Sequence, residues 1–145
     1  MDLYTNNILK LASTIPVTTR LKQPDVTVTK RTAICGSSIT LDLNISDSKI
    51  SEIGLDIKAC ALGQASACIF VTHAVGTDIK VISELRKNLK MFLDKGSFLI
   101  KEPFAEYKYF ALLQSQVHEV WARKMSSTMG VGLRYTPSSC FQTFP

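Results

Sequence analysis

Apolar and polar residues alternate without a break over residues 39–45. Ile39, Leu41, Leu43 and Ile45 carry one face, and Thr40, Asp42 and Asn44 face out on the other. A period of two is the mark of a strand buried on one side. A second alternation, Ile53, Leu55 and Ile57, follows the polar turn Ser46-Asp47-Ser48-Lys49. A third precedes it, with Val26, Val28 and Ile34 set among Thr and basic residues up to Cys35. Gly36-Ser37-Ser38 reads as a turn in which Gly36 is free to take positive φ. Three strands joined by two short turns predict an antiparallel meander.

On either side of the meander the period lengthens. Leu3, Ile8, Leu11 and Ile15 recur at roughly helical spacing, with Asp2 placed to cap the helix and Pro16 to stop it. From Cys60 onward Ala61, Leu62, Ala65, Ile69, Val71 and Ala74 predict a second helix, small-faced near its start so that it can lie close on the sheet. Thr77 is the expected cap of a third, whose buried stripe is Ile79, Ile82, Leu85, Leu89, Phe92 and Leu93, with Gly96 just past its end. After Pro103 a further helical segment is expected over 105–129. The polar stretch 18–25 is the best candidate for a flexible connector. Residues 130–145, with Gly, Pro and Ser at intervals and no periodicity, read as an irregular tail. The fold class implied is α+β: a three-stranded antiparallel sheet with helices packed on one face, in one domain over 1–129.

Length and composition narrow the function without naming it. A chain of 145 residues can bury a core without staples, and its 46% hydrophobic and 20% charged residues are ordinary globular values. The net charge of +5 comes mostly from the second half. From Asp78 onward ten Lys and Arg face six Asp and Glu, against seven and six before it. That surplus suits solvated surface side chains, and no basic block interleaved with aromatics points to nucleic acid. The first residues lack the charged and apolar regions of a signal peptide, and no apolar run is long enough to span a bilayer. The expected compartment is therefore cytoplasmic, with no membrane partner. Thiols stay reduced there, so Cys35, Cys60, Cys68 and Cys140 are read as ligands, nucleophiles or core fillers rather than disulfides.

Two of the four sit where chemistry is favoured. Cys35 lies in a tight turn between strands, beside Gly36, and Cys60 lies where strand pattern gives way to helix, with Lys58 nearby. A helix start favours a thiolate because its unpaired N–H groups and dipole stabilise negative charge. Cys68 is eight residues further on, about 12 Å along a helix, too far from Cys60 to share one cluster, and reads as core. His73 falls roughly 220° around the helix from Cys60 at about 100° per residue and reads as a surface or packing residue. No Cys-x-x-Cys occurs, so a structural zinc site of the usual spacing is not indicated.

Cys35-Gly36-Ser37 followed by strand, turn and strand, then Ala59-Cys60-Ala61-Leu62-Gly63-Gln64-Ala65-Ser66 at a helix start, resembles the NifU/IscU-type iron–sulfur cluster scaffold family. The likeness follows the element order over 2–129, is sharp over 32–76, and is especially close to a shorter NifU-like branch. It implies a non-enzymatic scaffold that accepts sulfur from a cysteine desulfurase, holds a labile [2Fe–2S] cluster or iron transiently, and serves acceptor apo-proteins. Cys35 and Cys60 are the cofactor and metal residues it implies.

The departures from the family pattern define the competing readings. Cys-Gly-Asp is here Cys35-Gly36-Ser37, so the carboxylate is missing. The His-Cys of the last helix finds its best match at Lys124-Met125, neither of which is a suitable ligand for such a cluster. Two thiolates leave the usual four-thiolate complement unfilled. A second chain, as in a homodimer, or glutathione or water would have to complete it. Cys140 in the tail and His118, seven residues before Met125, are lesser candidates, and Trp121 reads as a core or groove anchor. The alternative keeps the fold and drops the metal: an interaction or persulfide-relay module that docks on a desulfurase. A thiol hydrolase or transferase ranks below both, because no His stands near Cys35 or Cys60 in sequence to act as base.

Overall fold

Asp47 and Ser48 both take positive φ, 51° and 63°, the backbone twist that a two-residue hairpin turn requires. They join two strands, Ser38–Ser46 (β2) and Lys49–Lys58 (β3), which pair antiparallel from Ser46 opposite Lys49 to Ser38 opposite Lys58. One register shift falls between Asn44 and Ile45. The other neighbour of β2 is Val26–Arg31 (β1), also antiparallel, with Val26 opposite Leu43 and Arg31 opposite Ser38. The sheet order is β1-β2-β3, the expected meander. The structure is a computed structural model that describes residues 2–33, 36–95, 100–114, 127–129 and 132–134.

The helices cover one face, as expected. They are Asp2–Ser13 (α1), Ala61–Ala74 (α2) and Ile79–Lys95 (α3), followed by a 3-10 helix at Ala105–Gln114. Ile53 and Leu55 of β3 pack against Ala67, Ile69 and Val71 of α2 and Leu85 and Phe92 of α3, with Ile39, Leu41 and Leu43 of β2 beside them. Leu55 and Ile69 are fully buried, and burying side chains of that size stabilises by about 1.5–3 kcal/mol each. The small Ala65 lets α1 lie along α2, with Ile8 sealed between them. Gly76, at φ 82°, turns the chain from α2 to α3 while its N–H donates to Ile50 O at 2.7 Å. Ile79 N donates to Ser48 O at 2.9 Å, so the start of α3 is tied to the β2–β3 turn.

Four local details differ from the sequence reading. The cap of α3 is Asp78, whose Oδ1 accepts Lys80 N–H at 2.8 Å, while Thr77 Oγ1 turns back to donate to His73 O. β1 ends at Arg31 rather than continuing toward Cys35. The segment expected to be helical to residue 129 is a 3-10 helix only to Gln114 among the described residues. Ser127–Met129 (β4), expected to close the helical segment, is extended and pairs antiparallel with Gly132–Arg134 (β5).

The connector is the largest departure. It crosses the sheet face opposite the helices and is tied down along its length. Thr19 O accepts Leu55 N–H at 2.9 Å at the edge of β3. Leu21 then passes so close to Gly54 that a Cβ there would stand 2.5 Å from Leu21 N, and only glycine fits. Asp25 N–H donates to Asn44 Oδ1 at 2.9 Å, and the Asp25 carboxylate accepts Ile45 N–H at 2.8 Å. No helix among the described residues is long and apolar enough to cross a membrane.

Candidate functional site

The ladder register brings the two cysteine-bearing segments to the same end of the sheet. Arg31, Ser38 and Lys58 form one cross-strand row, and Thr32 N–H donates to Ser37 O at 2.9 Å one pair beyond it. In sequence Cys35 falls between Thr32 and Ser37, and Cys60 follows Lys58 by two residues. Gly36 takes φ 69°, a left-handed value that its lack of Cβ permits. Ser37, at the position of the family's carboxylate, is half-buried. Cys35 itself lies outside the described residues, as do His118, Trp121, Lys124, Met125 and Cys140.

Cys60 is the residue immediately before the first turn of α2, in extended backbone at φ −66° and ψ 169°. Its thiol is exposed and makes no capping hydrogen bond. The residues that follow explain this placement. Gln64 N–H donates to Cys60 O at 3.0 Å, the first bond of the helix, while the Gln64 side-chain amide donates to Ala59 O at 2.9 Å and braces the bend. Gly63 makes the bend tight, since a Cβ there would fall 2.8 Å from the Ala59 Cβ. Ala65 and Ala67 face inward and are buried, and Ser66 O accepts the Tyr107 hydroxyl at 3.0 Å. Gly63 and Gln64 thus shape the bend, and Leu62, Ala65 and Ser66 hold α2 close against its neighbours, with Cys60 left at the tip.

Beneath the tip a cavity of about 430 Å³ opens between sheet and helix. Ile39 and Ile57 line it from the sheet, Ala67 and Phe70 from α2, and Tyr107 from the 3-10 helix. Burial raises the Tyr107 phenol above its ordinary pKa, against the smaller opposing effect of its bond to Ser66. No sequence pattern marks Tyr107, because its role depends on a segment meeting α2 forty-one residues away.

The other sequence candidates separate cleanly. Cys68 is buried, with its sulfur 3.7 Å from Thr14 O and 4.0 Å from Thr72 Oγ1, and belongs to the core as expected. His73 sits near the far end of α2, where its Nε2 is 3.0 Å from Glu106 Oε2 and its ring meets Phe104 edge-on. It is a packing residue. Among the described residues no group of three or more His, Cys, Asp or Glu side chains is placed to hold a metal ion.

No protein-family model and no curated protein matches the chain. Solved structures do. A NifU-like N-terminal protein from Brucella abortus superposes with a TM-score of 0.74 at 28% identity, covering 78% of each chain. This chain has the fold of a NifU-like N-terminal domain. A protein from Fervidobacterium islandicum, described as an iron–sulfur cluster assembly scaffold for the SUF system, shares the NifU-like fold. Its TM-score is 0.63 at 18% identity, over 74% of this chain and 86% of its own. In this NifU-like fold the exposed Cys60 stands at the mouth of the sheet end described above.

Proposed function

We propose that the protein is a scaffold-type module of iron–sulfur cluster assembly that accepts sulfur and iron, as cargo, on the thiolates of Cys35 and Cys60. The observation that carries the reading is the exposed, uncapped Cys60 on a NifU-like fold. The β1–β2 turn containing Cys35 begins and ends at the same end of the sheet. Thiolates are the ligands that iron and cluster sulfide prefer. Ser37 in place of a carboxylate leaves this set poorer in donors than the family pattern. A cysteine desulfurase is the sulfur donor of this reading and acceptor apo-proteins are its consumers. The protein acts as a carrier in the cytoplasm and turns over no substrate alone.

Anaerobic reconstitution with ferrous iron and sulfide tests this. The scaffold reading expects a visible absorption band that is lost in both Cys35→Ala and Cys60→Ala while the fold is kept. A second reading, a metal-free persulfide relay, is favoured by the exposure of Cys60 together with the lack of further ligands around it among the described residues. It expects no stable band, yet a persulfide on Cys35 or Cys60 after incubation with a desulfurase and cysteine. A protein that gives neither band nor persulfide refutes both.

A further inference from the structure

We infer that β1 is a self-pairing edge, through which two copies of this chain join their sheets about a two-fold axis at Val28. Every residue of β1 is exposed, and β2 is its single neighbour among the described residues. The bond from Thr32 N–H to Ser37 O sets the phase of the β1–β2 ladder. With that phase, residues 26, 28 and 30 turn their backbone groups toward β2, and Thr27, Thr29 and Arg31 turn theirs outward. The side-chain bonds agree. Thr27 Oγ1 is 2.6 Å from Asp42 Oδ1 and Thr29 Oγ1 2.9 Å from Thr40 Oγ1, the close approach typical of pairs that exchange no backbone bonds.

Only a few antiparallel registers bring the outward groups of two copies face to face, with the axis at residue 27, 28 or 29. An axis at residue 27 sets Lys30 against Pro24 of the second copy, and one at 29 sets Asp25 against Ala33. The axis at Val28 places Thr27 opposite Thr29 of the second copy, giving four backbone bonds, and sets Arg31 twice over opposite Asp25, whose carboxylate also accepts Ile45 N–H within its own chain. On the helix side it puts Val28 against Val28 of the second copy and Val26 beside the stem of Lys30. These are the valines that the single chain leaves 41% and 45% exposed. Opposite charges and apolar pairs at directly facing positions are what stabilise a strand pair, and the isologous patch closes on itself so that no fibre can grow. The two cysteine-bearing turns then point to opposite ends of the joined sheet, and the inference stands whether or not the proposed function does.

Sedimentation equilibrium of the full chain from micromolar to millimolar concentration tests it. A reversible dimer is expected. Val28→Lys, which sets two ammonium groups against each other at the axis, should give a monomer, with far-UV circular dichroism unchanged because the site is exposed. Arg31→Glu, which faces Asp25 of the second copy, should weaken the dimer by about 10-fold, the scale of losing a favourable charge pair. A chain that stays monomeric to millimolar concentration overturns the inference. So does a dimer that survives Val28→Lys or is untouched by Arg31→Glu.

Discussion

Arg20 forks onto the carboxylate of Asp42, a fully buried side chain on the sheet face that the helices leave uncovered. Leu21 N–H at 3.0 Å and Thr27 Oγ1 at 2.6 Å complete its set of donors. The Arg20 bond first, then Thr27 and Leu21, hold the Asp42 carboxyl well below the usual carboxylate range, outweighing the opposing effect of burial. The native state therefore keeps Asp42 ionised in acid where the unfolded chain, ordinary at about 3.9, takes up a proton. Stability from this group is present above about pH 4 and is lost as the pH falls from there toward the depressed native value. Urea midpoints measured from neutral pH downward should show that loss, and Asp42→Asn should flatten it. Arg20→Ala and Asp42→Asn should each lower the midpoint at pH 7, with the double variant falling short of their sum because both remove one interaction.

Gly54 lies opposite Asp42 on β3, directly under Leu21. Its phantom Cβ meets backbone, at 2.5 Å from Leu21 N and 3.0 Å from Arg20 C, so no rotamer change can relieve the contact. Gly54→Ala should destabilise by about 1–3 kcal/mol, the scale of overpacking, and should loosen the connector. Denaturant unfolding measures the first effect. Faster amide exchange at Leu55, whose N–H bonds to Thr19 O, measures the second.

Cys60 and Cys68 share one helix and differ in access. Iodoacetamide labelling of the native protein, read by peptide mass spectrometry, should modify Cys60 within minutes and leave Cys68 untouched until denaturant is added. Cys68→Ser should destabilise by about 1–3 kcal/mol by placing a hydroxyl where a weakly polar thiol packs. Cys60→Ala should leave the unfolding midpoint unchanged, since the exposed thiol caps nothing. Equal labelling of both cysteines in the native protein would contradict the placement of α2.

How far these relationships could be read from the chain depends on their range. Ile39, Leu41 and Leu43 announce their strand because the pattern is local and one face is buried, and the meander and its helical cover follow from it. The same alternation places Asp42 on the outward face, correctly, but parity names a face without saying what lies over it. Only the connector makes that face an interior, and its polar sequence looks like a linker because its ties are to backbone and to partners some twenty residues away. Thr77 and Asp78 are both good caps, and the choice fell to Asp78 once Thr77 found His73 O. At the site, the tip position of Cys60 was legible from the change of period. The task of Gly63 and Gln64 in forming the bend was not, because a helix-start pattern says nothing of how closely Ala59 must approach.

Tyr107 offers a last check on the cavity under Cys60. Its ring closes that space between β2 and α2, and its hydroxyl ends on Ser66 O, a carbonyl in the first half of the helix. Tyr107→Phe keeps the ring and removes the bond, so it should cost about 0.5–1.5 kcal/mol, the net worth of one neutral hydrogen bond. Tyr107→Ala also removes the ring and should cost about 3–5 kcal/mol, the range for a large aromatic deleted from a core. The phenol adds an independent reading. Because burial raises its pKa, the absorbance change near 295 nm on alkaline titration should contain a component above the ordinary tyrosine range, and that late component should vanish in Tyr107→Phe. If the late component survives the substitution, the hydroxyl is not where the packing of α2 against the 3-10 helix puts it, and the cavity beneath the cysteine tip has a different wall.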